Sequence, residues 1–581
     1  MIPLASRVSC CCVALVLAAG CRIERRPPAV GADLVLRGAL VWTADQEHPL
    51  AEAVAIHDGL LVYVGDAGGV ERFIGSGTEV LDLPGRMVLP GFQDSNAHPV
   101  SAGLELGECN LYDAEDVADI ERIVRDYAAA NPDLPWIRGN GWALPIFPAA
   151  NPSRELLDRL VPDRPAFFYA ADGHSAWVNT RALQLAGITG ATTDPVGGRI
   201  ERTPRTGEPS GTLREDAMAL VASRLPPYLP EERLAAARRA LQEANRFGIT
   251  AITDADVGDE TLEAYAELSR RGELTARVTV ALALASDVDT PVAKEVERLK
   301  AIRDSHQRLP RLTVNTVKLY TDGVIEARTA ALLAPYLDRP GDAGPLVYQP
   351  DDLTARVVAL DREGFQVHFH AIGDRAIRVS FDAIAAARRA NGGRDRRPVL
   401  AHIELFDPSD IRRFRELGAI ASFQPYWAQA DGYIRELTIP ALGPARSRWL
   451  YPLQSVLNSG AVMAGGSDWS VSSLNPLDAI EVAITRRSAR DPAGPAWIPE
   501  ERATLPMMLA AYSINAAYAT YHERENGSLT VGKQADLIVV DRDLFSVSSE
   551  QISESRVLLT LLDGREVWRD STFHGVVRAR P

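Results

Sequence analysis

Two imidazoles at positions i and i+2 of a β-strand point to the same face and can share a metal ion. The stretch VLPGFQDSNAHPV, Val88–Val100, has that layout with one departure: the second position is His98, but the first is Asn96. Further along, polar residues close other apolar runs: Lys318 in VKLYTDG, His370 in VHFHAIGD, His402 in VLAHIE and Asp468 in AGGSDWS. One histidine at a strand end is more often a hydrogen-bonded structural residue than a ligand. Recurrence at five strand ends is harder to explain that way. Imidazole and carboxylate suit zinc and similar divalent ions, and a catalytic site keeps one position open for water. Such an ion lowers the pKa of its water towards about 7, and a carboxylate such as Asp468 can take the proton. Lys318 is unusual at an inward strand end, because burying an ammonium is costly. Either it pairs with Asp322, or it is carboxylated and becomes an anionic ligand.

These groups need a scaffold that gathers strand ends. Strands alternating with amphipathic helices are expected at 88–96, 248–254, 277–285, 314–320, 365–370, 398–403, 418–424 and 461–466. Eight such strands, each followed by a loop or helix, fit an α/β fold of the (β/α)8 barrel type, with active groups at the C-terminal strand ends. Residues 100–240 interrupt the pattern after the first strand; they are too many for a bare loop and are expected to form an inserted subdomain. Both ends of the chain are β-rich. DLVLRGALVWT and AVAIHDGLLVYVGD, turning at Asp58-Gly59, match ADLIVVDRD and VLLTLLDGREVWRD, turning at Asp563-Gly564. They predict one small composite β-sandwich from residues 34–87 and 525–575, flanking a barrel domain over 88–524.

The 581 residues suffice for a barrel-sized core and a second module. A formal net charge of −15 argues against a nucleic-acid partner, since phosphate binding needs a positive face. Four of five cysteines, Cys10, Cys11, Cys12 and Cys21, lie in the first 21 residues, which leaves Cys109 and no intrachain disulfide framework. The start, MIPLASRVSCCCVALVLAAGC, has Arg7, an apolar run and small residues before Cys21, and reads as an export signal over residues 1–21. Its apolar run is short for a spanning helix. Ala18-Ala19-Gly20-Cys21 resembles a bacterial lipobox, which would leave Cys21 lipidated, with residues 22–33 as a tether. Arg22 follows it rather than an inner-membrane-retaining Asp, so the expected location is the outer membrane, facing the periplasm.

Beyond single residues, the chain resembles the amidohydrolase superfamily, in the branch that includes N-substituted formamide deformylase. The resemblance runs from about residue 33 to 575 and includes LPGFQDSNAHP, DGHSAWVNTRAL, GITAITDA, HAIGDRA, GSDWSV and GSLTVGKQADLIVVD. It implies a metal-dependent hydrolase of C–N bonds on a (β/α)8 barrel with a composite β-sandwich. By position, the family's first-strand pair falls on Asn96 and His98, its carboxylated lysine on Lys318, its further histidines on His370 and His402, and its catalytic aspartate on Asp468. His174 matches a residue of the inserted subdomain that faces the pocket or organises its own turn.

Asn96 departs from that pattern. An amide oxygen is a neutral and weaker donor than imidazole, so one divalent ion, zinc foremost, is expected to bind tightly and a second is left in doubt. His368 lies two residues before His370, one layer deeper, and could serve the position that Asn96 serves poorly; the alternative is a deep histidine bonded to Asn96 or Lys318. Trp142, Phe147, Trp177, Tyr426, Trp427 and Trp469 are expected near loops over the site, with His174, Trp177 and Trp469 contacting substrate. The leading reading is hydrolysis of a small amide or an N-formyl or N-acyl amine by metal-activated hydroxide, with Asp468 and His402 as catalytic residues. A deaminase on the same scaffold, a catalytically silent binding lipoprotein and a homodimer all stay open.

Overall fold

The computed structural model describes residues 31–284, 290–488 and 491–574, with the backbone of 577–578. Its centre is a barrel of eight parallel strands: β1 (Phe92–Ala97), β2 (Ile249–Val257), β3 (Arg277–Ala283), β4 (Leu312–Tyr320), β5 (Gln366–Ala371), β6 (Val399–His402), β7 (Ile420–Phe423) and β8 (Val462–Gly465). Strands covered on both faces read as near-continuous apolar runs, and β6 (VLAH) and β7 (IASF) are buried at every residue. The covering helices show the complementary pattern. In the helix Asp374–Asn391, the side chains of Ala376, Ile377, Ser380, Phe381, Ile384 and Ala387 are buried, which is one stripe at three- and four-residue spacing.

The strands are laddered in chain order from β1 to β8, and the last seam is closed differently. Where β8 meets β1, Ser95 Oγ donates to Gly465 O at 2.9 Å, Ser467 N to Asp94 at 3.1 Å, and Asp468 N to Asn96 O at 2.8 Å. A Cβ on Gly466 would stand 2.9 Å from the Asn96 backbone nitrogen, so this close seam needs glycine. The barrel is therefore nearly closed, and its seam brings Asn96 beside Asp468.

The interruption after β1 carries its own six-stranded sheet, running from Cys109–Asn110 to Pro209–Glu215, and its own apolar clusters. One cluster takes Trp142, Phe147 and Trp177, which the sequence had suggested as pocket residues. Trp177 is fully buried, its ring centroid is 5.5 Å from that of Phe147, and its Nε1 donates to Ser153 O at 2.9 Å. Its indole has both an apolar surround and an acceptor within the subdomain, so Trp177 is corrected from substrate contact to core residue.

Strands from both ends of the chain share one sheet. Met87–Pro90 pairs in parallel with Leu34–Trp42 and antiparallel with Leu537–Val540, which continues to Val557–Leu562 and Arg565–Arg569. Arg277 on β3 and Arg311 clamp this sheet to the barrel: Arg277 binds Asp536 at 2.8 Å and also Asp563, and Arg311 binds Asp563 at 2.6 Å. The expected export signal and Cys21 lie outside the described residues. Among the described residues, no helix is long and apolar enough to cross a membrane.

Candidate active site

The C-terminal ends of β1, β4, β5, β6 and β8 bring the expected polar residues together. Asn96 is the hub of a buried floor. Its Nδ2 donates to Asp468 Oδ1 at 2.5 Å, while its Oδ1 accepts from Lys318 Nζ at 3.3 Å and from His368 Nε2 at 2.9 Å. His98 Nε2 lies 3.3 Å from the same Asp468 oxygen. Lys318 thus pairs with Asn96 rather than Asp322, whose carboxylate accepts from the backbone nitrogens of Ala331, Ile372 and Gly373 at 2.9–3.0 Å. His368 is the deep histidine bonded to Asn96. With Nε2 committed, its buried Nδ1 has no hydrogen-bond partner.

Electrostatics follow from this packing. Burial opposes ionisation of Asp468, but the hydrogen bond from His98 and the charges of its basic neighbours outweigh it and hold the carboxyl far below the usual range. Burial likewise works against a charged His98, and Asp468 reverses the balance and raises it. Lys318 is lowered, chiefly by burial. Asp468 and His402 also have positive φ values, 54° and 73°, a conformation costly for side-chain-bearing residues and concentrated at functional sites.

Above the floor lies a cavity of about 700 Å³, lined by His174, His370, His402, Asp468, Trp427 and Trp469 among others. Neighbouring residues fix the histidine rings. His402 Nδ1 donates to Gln424 Oε1 at 2.9 Å, and the ring stacks on Trp427 with planes 8° apart. His370 Nε2 donates to Gly323 O at 3.2 Å, and its ring centroid is 4.5 Å from that of His402. Burial pushes both rings down, His402 to about 3, so each is neutral with one nitrogen left as a lone-pair donor. His174 differs. Burial opposes its charge, yet Glu215, 2.8 Å from Nδ1, holds its pKa up at about 9.

The donor set fits a divalent ion in chemistry: neutral imidazoles whose second nitrogen is anchored, a carboxylate and a buried lysine. In position it is looser. Among the described residues, no three of its imidazole and carboxylate donors lie within 4.8 Å of one another; the His/Cys/Asp/Glu trio that does is Asp33, His57 and Asp58, on the small sheet far along the chain from the floor. His98 and Asp468 instead hold each other, so an ion on both must displace the proton between them.

Sequence reading missed several groups. Gln424 and Glu215 orient His402 and His174, and Asp172, Glu326 and Glu404 line the cavity. Only Glu404 carried a signal, since it follows the strand-end His402 by two residues. Glu215 is 41 residues from His174, and nothing in the sequence couples them.

A family model described as amidohydrolase family matches residues 79–568. The chain is 32% identical over 551 residues to Protein LONG AFTER FAR-RED 3 of Arabidopsis thaliana, covering 93% of each chain. It is 27% identical over 549 residues to N-substituted formamide deformylase of Arthrobacter pascens, covering 92% of this chain and 97% of that one. Among solved structures, an uncharacterized metal-dependent hydrolase from Pyrococcus furiosus, 25% identical, superposes with a TM-score of 0.68 over 88% of this chain and 99% of that one. With the match running from residue 79, in the strand Glu79–Asp82 of the small sheet, through the whole barrel to residue 568, the chain belongs to the amidohydrolase family.

Proposed function

We propose that this chain hydrolyses a non-peptide C–N bond in a small amide or N-acyl or N-formyl amine, using a divalent cation, zinc foremost. The observation that carries the reading is Asp468: a buried carboxylate on the cavity floor, bonded to His98 and Asn96 and flanked by two neutral, anchored imidazoles. His98, His370, His402 and Asp468 would hold the ion, with Lys318, in carboxylated form, and Asn96 serving a weaker second position. A bound ion would supply Lewis acidity towards the carbonyl and acidify a water molecule.

The chain's own groups do the rest. Asp468, kept ionised by its neighbours, accepts the proton of the attacking water and delivers it to the leaving nitrogen. Asn96 Nδ2 and His98 Nε2 both reach Asp468 Oδ1, leaving Oδ2 to face the reaction. Gln424 fixes the His402 tautomer, and Gly323 does the same for His370. His174, held charged by Glu215 through Nδ1, offers its Nε2–H to the carbonyl oxygen. Trp427 and Trp469 give the cavity apolar wall.

The test pairs metal analysis of purified protein with a screen of N-formyl and N-acyl amines in the presence of zinc, cobalt or manganese. Bound metal with amine release supports the reading; a protein that binds no metal and releases no amine is a silent binding protein. Ammonia release without a free acid would point to the deaminase. Export and lipidation at Cys21 belong to the same proposal, and Cys21→Ser should free the protein from membranes.

A further inference from the structure

We propose that the substrate carries a positive charge, an ammonium or amidinium group on the amide's far end, and that Glu404, Glu326 and Asp172 bind it. The inference rests on the amidohydrolase reading for the amide and on the cavity wall for the charge. Nine carboxylates line the cavity, and among the described residues no lysine or arginine does. Acidic residues alone would mark a solvated rim, but these three differ from a rim.

Glu404 is 4% exposed; its carboxyl takes a side-chain hydrogen bond from Tyr451, while its Oε2 is buried without a hydrogen-bond partner. Asp172 Oδ2 is also buried and unpartnered. Unmatched buried acceptors are costly, and cavity-lining acceptors of this kind ask for a donor from the ligand. Glu326 stands beside them, its Oε1 accepting from Thr438 Oγ1, and burial, followed by the charge of Glu326, raises the Glu404 carboxyl well above its usual range. A cation between them would offset that charge.

Among the described residues, the cations nearest these carboxylates are engaged elsewhere. Arg328 binds Asp338 at 2.7 Å, Arg214 binds Glu201 at 3.3 Å and also Ser175, and His174 binds Glu215 at 2.8 Å. None of Arg328, Arg214 or Glu215 lines the cavity. Tyr426, Trp427 and Tyr451 add aromatic faces to the same wall, which attract an organic cation and leave a neutral chain only apolar contact. The formal charge of −15 would steer such a substrate inward. A single carboxylate could serve a neutral hydroxyl, but three together select charge.

The experiment uses the full, metal-loaded chain and two probes of equal heavy-atom count: N-formyl-1,4-diaminobutane, a cation, and N-formylpentylamine, which is neutral. The expected kcat/KM ratio is about 10- to 100-fold in favour of the cation, falling with added salt. In Glu404→Gln, and separately in Glu326→Gln, the ratio should collapse towards unity; thermal unfolding of each variant checks that it is folded. Equal rates for the two probes in the wild type overturn this inference and leave the hydrolase reading standing. If neither amide is cleaved, the hydrolase reading is the one in trouble, and calorimetry decides the present point. Pentylammonium binding at least tenfold more tightly than 1-pentanol supports the charge-reading wall, and equal binding refutes it.

Discussion

The floor and the wall of this cavity are built in opposite ways. Floor groups come from barrel strand ends and bond to one another: Asn96 to Asp468, Lys318 and His368, and His98 to Asp468. Wall groups come from loops and the inserted subdomain, and two of their carboxyl oxygens are buried with no partner. Apart from His368 Nδ1, the floor groups bond within their own network, which holds a fixed geometry. Acceptors left waiting gain their partners only when a ligand arrives. On the proposed function, chemistry belongs to the floor and selection to the wall, and substitutions in each should read out differently.

The largest effect belongs to the floor. Asp468→Asn keeps the shape and a hydrogen-bonding oxygen but removes the proton acceptor. Turnover should fall by about 10³- to 10⁴-fold with metal content largely retained, measured by single-turnover kinetics and elemental analysis. Activity within about tenfold of wild type would take Asp468 out of the proton path. A coincident loss of metal would instead make it chiefly a ligand.

Next comes a pair of tryptophans that separates subdomain core from cavity wall. Trp177→Ala removes a fully buried indole packed on Phe147 and Phe168, and should cost about 3 kcal/mol or more in urea unfolding. Per folded molecule its kcat/KM should stay unchanged. Trp427→Ala removes a partly exposed ring stacked on His402, and should raise KM by about tenfold with a smaller loss of stability. If the Trp177 variant loses substrate affinity and Trp427 does not, the assignment of these two rings is reversed.

The two rings also mark how far sequence could lead. Eight barrel strands were legible, because a strand buried on both faces writes itself as an apolar run with a polar end. The first, however, was expected at 88–96 and begins only at Phe92, since Met87–Pro90 is a strand of the small sheet with the same apolar signature. The strand-end groups Asn96, His98, Lys318, His370, His402 and Asp468 followed from the same rule. In the subdomain there is no such rule. Trp142 and Trp177 sit on short strands whose faces are set by a separate sheet, and period-two alternation does not say which face meets the cavity. Trp427 and Trp469, on loops directly after strand ends, were placed over the site because the strand already fixed where the loop began. Glu215 and His174 meet through tertiary pairing 41 residues apart, which no local pattern encodes.

The smallest effect probes the floor's own departure. Asn96 gives the inner position an amide where a second imidazole would be the better ligand, and its oxygen is already shared between Lys318 and His368. An ion there competes with two hydrogen bonds and must recruit Lys318, whose ammonium is the form least suited to binding metal. Wild-type protein should therefore hold one ion tightly and a second weakly. Asn96→His supplies the missing donor and releases Lys318 from its acceptor, so affinity for the second ion should rise by about tenfold, a gain typical of one improved metal contact. Titration with cobalt, followed by its visible absorption, reads both sites without relying on turnover. Two tightly held ions in the wild type would show that Asn96 is no handicap. The inner position would then be completed by the Asn96 oxygen or by the unpartnered His368 Nδ1. His368→Ala separates those outcomes: losing the second ion assigns it to the imidazole, and keeping it assigns it to the amide.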